Sequence, residues 1–396
     1  MTEGQIGPEP RITNGCRLRG LSAASDTPGT SSREQDSRRA TTWMGGPPTE
    51  LEGAGRGNLE RYTESRATRL PSKDVVSHPK VQHYVPRFLL AAFETAPGSK
   101  QVHAFDKQTG RIFPANVRNV AGETGFYDIE VEGGILTFEP SLAAIEDATA
   151  LVVARIVEKG QIGFLGAAER EVLARFLLIQ NMRTRQFLEA VHDSGIALAQ
   201  ALDGMQPGAS AELGFTEDRE QSRLLALSLL QRSPEWVPLI LDKAWSLYEA
   251  PPERPFWISD HPVAMHNNVN RSTVRGTIGL AVRGIEIYLP ISPRYCLGFL
   301  CPTLRDMTNE AYTRSLRVKM QFGIEVPTHD QVGAMRDGLE YGFSIPSQPE
   351  NVDYVNSLQV LYGERFVFSA HSDFAMAEEM IANNPQVRHG PRMTVD

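Results

Sequence analysis

The sequence has few cysteines, no long apolar run and no excess of positive charge. Only three of its 396 residues are cysteine, and Cys16, Cys296 and Cys301 match neither a disulfide framework nor zinc-ligand spacing. No stretch approaches the roughly 18 apolar residues that span a bilayer, and the polar N-terminus lacks the apolar core of a signal peptide. The formal net charge of -8 argues against a general polyanion-binding surface. These absences predict a soluble, cytoplasmic protein with no membrane partner and no metal cluster.

Several familiar enzyme motifs are also missing. The chain has no GxxxxGKS or GxxxxGKT phosphate loop, and no GxGxxG follows a predicted strand. It also lacks HExxH, paired CxxC and GxSxG. The P-loop, dinucleotide-binding, zinc-protease and esterase classes therefore lose support. The missing motifs do not exclude an enzyme whose site is assembled from distant segments.

Residues 1–80 differ in composition from the rest of the chain. They are rich in glycine, proline, serine and threonine and contain only two aromatic residues, Trp43 and Tyr62. Such a segment buries too little apolar surface to offset the entropy lost on ordering. We therefore expect a disordered N-terminal tail over 1–80, interpreted as a leader with Met44 as an internal start candidate; an interaction arm is the alternative. Since 41% of all residues are apolar, residues 81–396 are expected to form one domain with a sizeable core.

Beyond residue 80 the pattern changes from hairpins to helices and then to strands. A short helix with Pro86 in its first turn is predicted within 81–93, and hairpins are predicted over 101–114 and 126–138. Helical spacing of apolar residues predicts helices at about 142–160, 167–191 and 217–232, and later ones at 304–316, 349–361 and from 372. Aromatic and β-branched runs predict strands at 244–249, 256–259, 285–289, 295–300 and 365–369. This order predicts an α+β fold, with a central helical block at about 140–235 flanked by antiparallel strands and a strand-rich part at about 244–300.

The run HYVPR combines a histidine and an arginine at a helix start. His83 lies just before the predicted helix, and Arg87 lies one turn after it. A histidine there can act as a general base, and an anion at the helix N-terminus would have Arg87 beside it. The alternative is that His83 caps the helix while Tyr84 and Phe88 pack in the core.

Polar residues interrupt the apolar faces of two predicted helices. Glu146 falls along the stripe of the first helix, where a carboxylate is costly unless it is paired. Gln180 and Arg183 lie one turn apart on the apolar face of the second helix, and Arg183 can bind a carboxylate or phosphate with two parallel bonds. The alternative is a structural ion pair between Glu146 and Arg183 that fixes the two helices.

The run ISDHPV places Ser259, Asp260 and His261 where a predicted strand ends. Asp260 can accept a proton, orient a histidine or hold a cation at that position. The alternative is an Asx turn, in which the aspartate bonds to its own neighbouring backbone. His261 is equally ambiguous from the residues alone.

Several segments together resemble a family of unknown function, domain-of-unknown-function family 4238. The resemblance begins with QHYVPRFLLAAF at 82–93 and covers roughly residues 82–370. It continues in order with FY at 126–127, LAAIED at 142–147, FLLIQNMRTR at 176–185, ISDHPV at 258–263, LPISP at 289–293, NSLQV at 356–360 and RFVFS at 365–369. The chain departs from the family at His261, where asparagine is more usual. The family supplies no activity to transfer, but it gives a reason to treat these polar residues as one constellation.

The constellation leads to one enzymatic hypothesis and two alternatives. In the first, the protein is a hydrolase that acts on a phosphodiester or another anionic bond, nuclease-like and serving microbial defence. The general acid/base would be His83; Glu146 and Asp260 would bind a divalent cation or activate water; Arg87, Gln180, Arg183 and Ser259 would hold the anionic group. The alternatives are a non-catalytic binding or sensor module for a small anion or a protein partner, and a purely structural polar network. Nucleic acid stays open as a partner, although the net charge does not support it.

Overall fold

A computed structural model describes residues 81–131, 134–213, 218–267 and 278–392 of the protein, without side-chain burial over 129–137. The predicted disordered tail over 1–80, with Cys16 and Met44, lies outside the described residues.

The described chain opens with short strands around one short helix. The short helix forms as the sequence predicts, but Pro86, whose ring fixes its backbone angle φ, is the N-cap residue and does not lie in the first turn. Both hairpins form close to their predicted positions. The elements are β1 (Val81–His83), α1 (Arg87–Ala91), β2 (Gln101–Asp106), β3 (Arg111–Asn116), β4 (Gly122–Thr124), β5 (Asp128–Val131) and β6 (Gly134–Thr137).

A run of helices follows. Its members are α2 (Glu139–Lys159), α3 (Ala167–Met182), α4 (Arg185–Met205), α5 (Ala209–Glu212), α6 (Arg219–Arg232) and α7 (Val237–Leu241), with a 3-10 turn at Ser233–Trp236. The apolar stripe of α2 is buried, and the helix ends at Gly160, whose φ of 59° lies in the left-handed region that glycine adopts without strain. The predicted helix over 142–160 is therefore confirmed at its C-terminal end.

The prediction of one continuous helix over 167–191 is wrong. The chain leaves the helical conformation at Arg183 and Thr184, and Thr184 is extended with φ -92° and ψ 160°. The Thr184 hydroxyl accepts a hydrogen bond from the backbone N–H of Phe187, so threonine acts as the N-cap of α4. The apolar periodicity runs through the break, which is why spacing alone does not reveal it.

The C-terminal half contributes seven strands and four more helices among the described residues. These are β7 (Ala244–Glu249), β8 (Ile258–Ser259), β9 (Ala264–Asn267), β10 (Ile285–Pro290), β11 (Tyr295–Leu300), α8 (Thr303–Phe322), α9 (His329–Tyr341), β12 (Ser344–Pro346), α10 (Pro349–Tyr362), β13 (Phe366–Ser369) and α11 (Ala375–Asn383), followed by a 3-10 turn at Pro385–Arg388.

The strands form two main sheets. One has the order β12-β7-β11-β10-β9, and the other has the order β3-β2-β13-β8. Two further ladders join β1 to β4 and β5 to β6. All pairs are antiparallel except β12 with β7. The run of consecutive helices and the largely antiparallel sheets confirm the α+β class.

Helix α9 and strand β12 are absent from the sequence prediction. Gly338 lies inside α9 because a Cβ there would come within 2.3 Å of Ile345 on β12. A glycine inside a helix weakens the helical signal. The close approach of helix and strand therefore hides α9 from propensity reasoning.

One apolar cluster joins the opening strands, α2, α3 and the larger sheet. Its fully buried members include Leu89, Phe93, Ile156, Phe176 and Phe299. Within the described ranges, no helix combines the length and apolar character needed to cross a membrane.

Candidate functional site

Strand β1 is fixed against the end of α3 by the buried side chains of Tyr127 and Gln82. The Tyr127 hydroxyl lies 3.1 Å from the carbonyl oxygen of Arg183 and 3.4 Å from that of His83. Gln82 accepts a bond from the Tyr127 amide at 2.6 Å and donates to Asp128 at 2.6 Å. His83 and Arg183, 100 positions apart in the chain, are thus held by one tyrosine.

Gln180 ties the same two segments together from the helix side. Its Nε2 donates to the carbonyl oxygen of Tyr84 at 2.8 Å, and its Oε1 accepts from Nε of Arg183 at 2.9 Å. Gln180 is fully buried, so every bond it makes is shielded from water. Its position on a buried face is explained by these contacts.

Arg183 is a buried cation with one free donor group. Its Nη1 donates to Oε1 of Glu146 at 2.6 Å, and the side chains of Arg183 and Glu146 are 1% and 27% exposed. The Nη2 group of Arg183 is the one buried side-chain nitrogen or oxygen without a hydrogen-bond partner among the described residues. Buried donors are almost always paired, so this group marks a place where a ligand oxygen or a water can bind.

His83 is held as a neutral base. Its Nε2 lies 3.0 Å from the carbonyl oxygen of Arg118, which can only accept, so Nε2 carries the proton and Nδ1 keeps its lone pair. The pKa of His83 lies below 6.5 because burial disfavours the cation; the Arg118 bond and Glu146 oppose this, whereas Arg87 and Arg183 add to it. The charges of Arg183 and Glu146 therefore act on the pKa of the His83 imidazole.

Two further charged groups lie at this cluster. Arg87 is exposed, and its charge reaches both His83 and Glu139. The pKa of Glu139 is raised by burial and by the neighbouring charge of Glu146, with Arg183 opposing. We call His83, Arg87, Glu146, Gln180 and Arg183 the central cluster. The structure thus brings together five of the residues proposed from the sequence.

The Asp260 carboxylate bonds to backbone N–H groups and to no side chain of the central cluster. Its Oδ1 accepts from the N–H of Glu364 at 2.7 Å, and its Oδ2 accepts from the N–H groups of Arg365 and Phe366 at 2.8 and 2.9 Å. Only 2% of Asp260 is exposed. An aspartate with three backbone donors is a clamp between the loop after β8 and the start of β13. This is not the local Asx turn weighed above.

A buried lysine, missed by the sequence analysis, accompanies Asp260. Lys107 donates to the carbonyl oxygen of Gly363 and has no exposed surface. Burial lowers the pKa of Lys107 to about 8, with Asp260 and Glu364 opposing, and burial raises the pKa of Asp260 to about 6, with its backbone bonds and Lys107 opposing. Lys107 follows β2 in a hairpin turn, where sequence alone predicts an exposed side chain.

Ser259 is equally inaccessible. Its hydroxyl contacts the carbonyl oxygen of His261 at 2.9 Å and Oε1 of Gln359 at 3.0 Å, and the residue is fully buried. The geometry therefore gives Ser259 a role in joining β8 to α10. The Ser259 hydroxyl already has partners inside the fold, whereas Nη2 of Arg183 has none within the described part of the chain.

His261 explains the break between α3 and α4. Its Nδ1 lies 2.6 Å from the Thr184 hydroxyl, the same hydroxyl that caps α4. Burial lowers the pKa of His261 to about 4, so the ring is neutral at pH 7. An asparagine amide can reach nearly the same point as Nδ1, so asparagine could make the same bond to the Thr184 hydroxyl.

We predict that His261→Asn keeps the fold and removes a pH dependence. The folded pKa of about 4 lies below the ordinary value of 6.5, so the unfolded chain binds more protons between these values and wild-type stability falls as pH falls through that window. Relative to His261→Asn, the wild type should lose up to about 3 kcal/mol between pH 7 and 4. Urea unfolding at several pH values measures this difference. A constant difference across the window would contradict the buried, neutral histidine.

The described residues contain no group of three histidine, cysteine, aspartate or glutamate side chains placed to hold a metal ion. The two carboxylates proposed as cation ligands bond elsewhere, Glu146 to Arg183 and Asp260 to backbone N–H groups. A cavity of about 310 Å³ lies beside β4, α4 and α6, and its lining includes none of the central-cluster residues. None of the site residues proposed from the sequence lines this cavity.

Comparison with known proteins gives one family. The model of the family described as "Protein of unknown function (DUF4238)" matches residues 81–373, most of the chain, and confirms the resemblance based on the motifs. Neither a curated protein nor a solved structure matches the chain.

Proposed function

Because the chain belongs to the DUF4238 family, whose description assigns no activity, we propose from the geometry alone that it is a hydrolase of a phosphodiester or another anionic bond. The observation that carries this proposal is a neutral imidazole with an unprotonated Nδ1 in the field of a buried guanidinium that has a free N–H group. A base and an anion-binding donor close together are the two elements that such hydrolysis requires.

The proton transfers follow from the fixed tautomer of His83. Nδ1 takes a proton from water while the water oxygen forms a bond to the phosphorus or carbonyl carbon. The ester bond to the leaving oxygen then breaks, and the imidazolium returns the proton to that oxygen. The Arg118 carbonyl keeps Nε2 protonated and the ring in place throughout.

The arginines supply the charge for the anionic group. Nη2 of Arg183 would donate to a substrate oxygen, and Arg87 at the exposed edge would neutralise a second oxygen. Glu146 and Gln180 hold the Arg183 guanidinium in a fixed orientation, so little reorganisation is needed when negative charge develops. We place Asp260 and Ser259 outside the reacting centre, as supports of β8 and β13.

A non-catalytic binding function is the second candidate, and the free Nη2 group of Arg183 also favours it. In that case an anion would occupy the same donor without any bond being broken. A binding module needs no general base, so the effect of replacing His83 distinguishes the two candidate functions.

We predict that His83→Gln lowers kcat/KM by about 10²- to 10⁴-fold, the usual contribution of a general base. The assay screens bis(4-nitrophenyl) phosphate, 4-nitrophenyl acetate and short RNA and DNA strands, with and without Mg²⁺ or Mn²⁺. His103→Gln, on β2, is the matched histidine control and should retain activity. Hydrolysis unaffected by His83→Gln would contradict the base. Binding of phosphate without hydrolysis of any probe would favour the binding module.

We include a cytoplasmic location and a nuclease-like role in microbial defence in the proposal. Support for a reducing compartment comes from the cysteines, since both described ones, Cys296 and Cys301, are free thiols. The net charge of -8 opposes a broad nucleic-acid surface, so a nucleic-acid substrate would rely on the two arginines of the central cluster.

A further inference from the structure

The cavity beside β4 is lined by charged side chains of both signs. Three arginines and three glutamates contribute to it, together with a histidine and a serine. Its volume of about 310 Å³ lies at the lower end of the range for small-molecule sites. A compact ligand of a few heavy atoms fits this volume better than a polymer segment does.

The charges around the cavity form an alternating chain. Arg219 bonds to Glu189 through two contacts of 3.0 Å, and Arg185 bonds to Glu123 at 3.1 Å. Between these pairs, Nε of Arg185 lies 4.0 Å from Glu189, which is beyond hydrogen-bond distance. Arg185 and Glu189 therefore form no hydrogen bond, and the series of paired charges is interrupted between them.

The arginines differ in how firmly they are held. Arg219 and Arg185 are 69% and 51% exposed, so their pairs with glutamate are weak and exchangeable. Arg223 is only 27% exposed, and its Nη2 donates to the carbonyl oxygens of Gly125, Phe126 and Asp128 at 2.9, 3.1 and 2.5 Å. One side of the cavity is thus rigid and the other can rearrange around a ligand.

His192 adds an acceptor. Nδ1 of His192 lies 3.1 Å from the Ser222 hydroxyl, which lies 3.2 Å from the Asp218 carbonyl oxygen; in the tautomer with its proton on Nδ1, His192 donates to Ser222 and Nε2 is an acceptor. Glu189, at 16% exposure, offers further acceptor oxygens. The cavity therefore presents guanidinium donors and carboxylate and imidazole acceptors at once.

We propose that this cavity binds a small zwitterion, of the chemical class of a free amino acid. The three arginines and three glutamates of the lining pair with one another, so opening one of the exposed pairs frees a guanidinium and a carboxylate together. When an arginine–glutamate pair opens, the carboxylate of a zwitterionic ligand can bind the arginine and its ammonium group can bind the glutamate. This site goes beyond the proposed hydrolase and shares no residue with the central cluster.

The test is ligand-observed saturation-transfer NMR of the full chain with the free L-amino acids, followed by calorimetry on any that bind. Acetate and methylammonium, the two halves of the zwitterion, are probed in parallel. At least one amino acid should bind and neither half should. Both Glu189→Gln and Arg219→Gln should weaken that binding about tenfold or more.

Arg232→Gln is the matched control, because Arg232 pairs with Glu235 at the end of the same helix, α6, outside the cavity lining. It should leave amino-acid binding unchanged. The proposal is overturned if no amino acid binds, if acetate or methylammonium binds as tightly as the amino acid, or if the control weakens binding as much as the cavity variants. Because the readout is binding, its failure leaves the hydrolase proposal untouched.

Discussion

Replacing Glu146 with alanine is expected to lower the free energy of unfolding by about 3 kcal/mol. The substitution leaves the guanidinium of Arg183, 1% exposed, without its counterion, and breaking one side of a buried pair costs about 3–5 kcal/mol. We place the effect at the lower end because Glu146 is itself 27% exposed, so water can reach the vacated position. Urea unfolding followed by circular dichroism measures the change.

Glu158→Ala is the control, since Glu158 is an exposed glutamate on the same helix. Its effect should stay within about 0.5 kcal/mol. The double variant Glu146→Leu with Arg183→Met should lose less stability than either single replacement, because no uncompensated charge remains in the core. If Glu146→Ala behaves like the control, the ion pair does not hold Arg183 in place.

Replacing Asp260 with alanine is expected to cost about 4 kcal/mol or more. Three backbone N–H groups lose their acceptor, that of Glu364 in a buried bond and those of Arg365 and Phe366 in partly buried ones. Each unsatisfied buried donor costs about 1–3 kcal/mol. The nearby cation of Lys107 also loses a compensating charge. Thermal or urea unfolding measures the loss.

Asp147→Ala, the replacement of an exposed aspartate on α2, is the control and should be nearly neutral. The loss of stability in Asp260→Asn should fall between those of Asp260→Ala and Asp147→Ala, because the amide oxygen still accepts a hydrogen bond while the NH₂ group faces a backbone donor. A loss below about 1 kcal/mol for Asp260→Ala would mean that water replaces the carboxylate. Asp260 would then no longer be the clamp of β13.

Local patterns in the sequence are sufficient for much of the fold. The strand over 101–106, the end of α2 at Gly160 and the strands over 244–249 and 295–300 follow from alternation, glycine and proline. The break before α4 does not, because it depends on a hydrogen bond between Thr184 and His261, 77 positions away.

Sequence patterns likewise reveal some residues of the candidate site and miss others. Polar residues on apolar faces identify Glu146, Gln180 and Arg183, since such residues need partners that the structure then supplies. Asp260 is conspicuous in the sequence, but its partners lie 104 to 106 positions away, and no local pattern reveals them. Lys107 and Tyr127 are missed because each is defined by distant backbone carbonyls.

The ¹⁵N NMR spectrum of the His83 imidazole tests the central claim most directly. The account predicts a proton on Nε2, a bare Nδ1 and a pKa below 6.5, and it predicts that Arg87→Gln raises this pKa because an exposed neighbouring cation is removed. A proton on Nδ1, or a pKa at or above 6.5 that does not respond to Arg87→Gln, would contradict it.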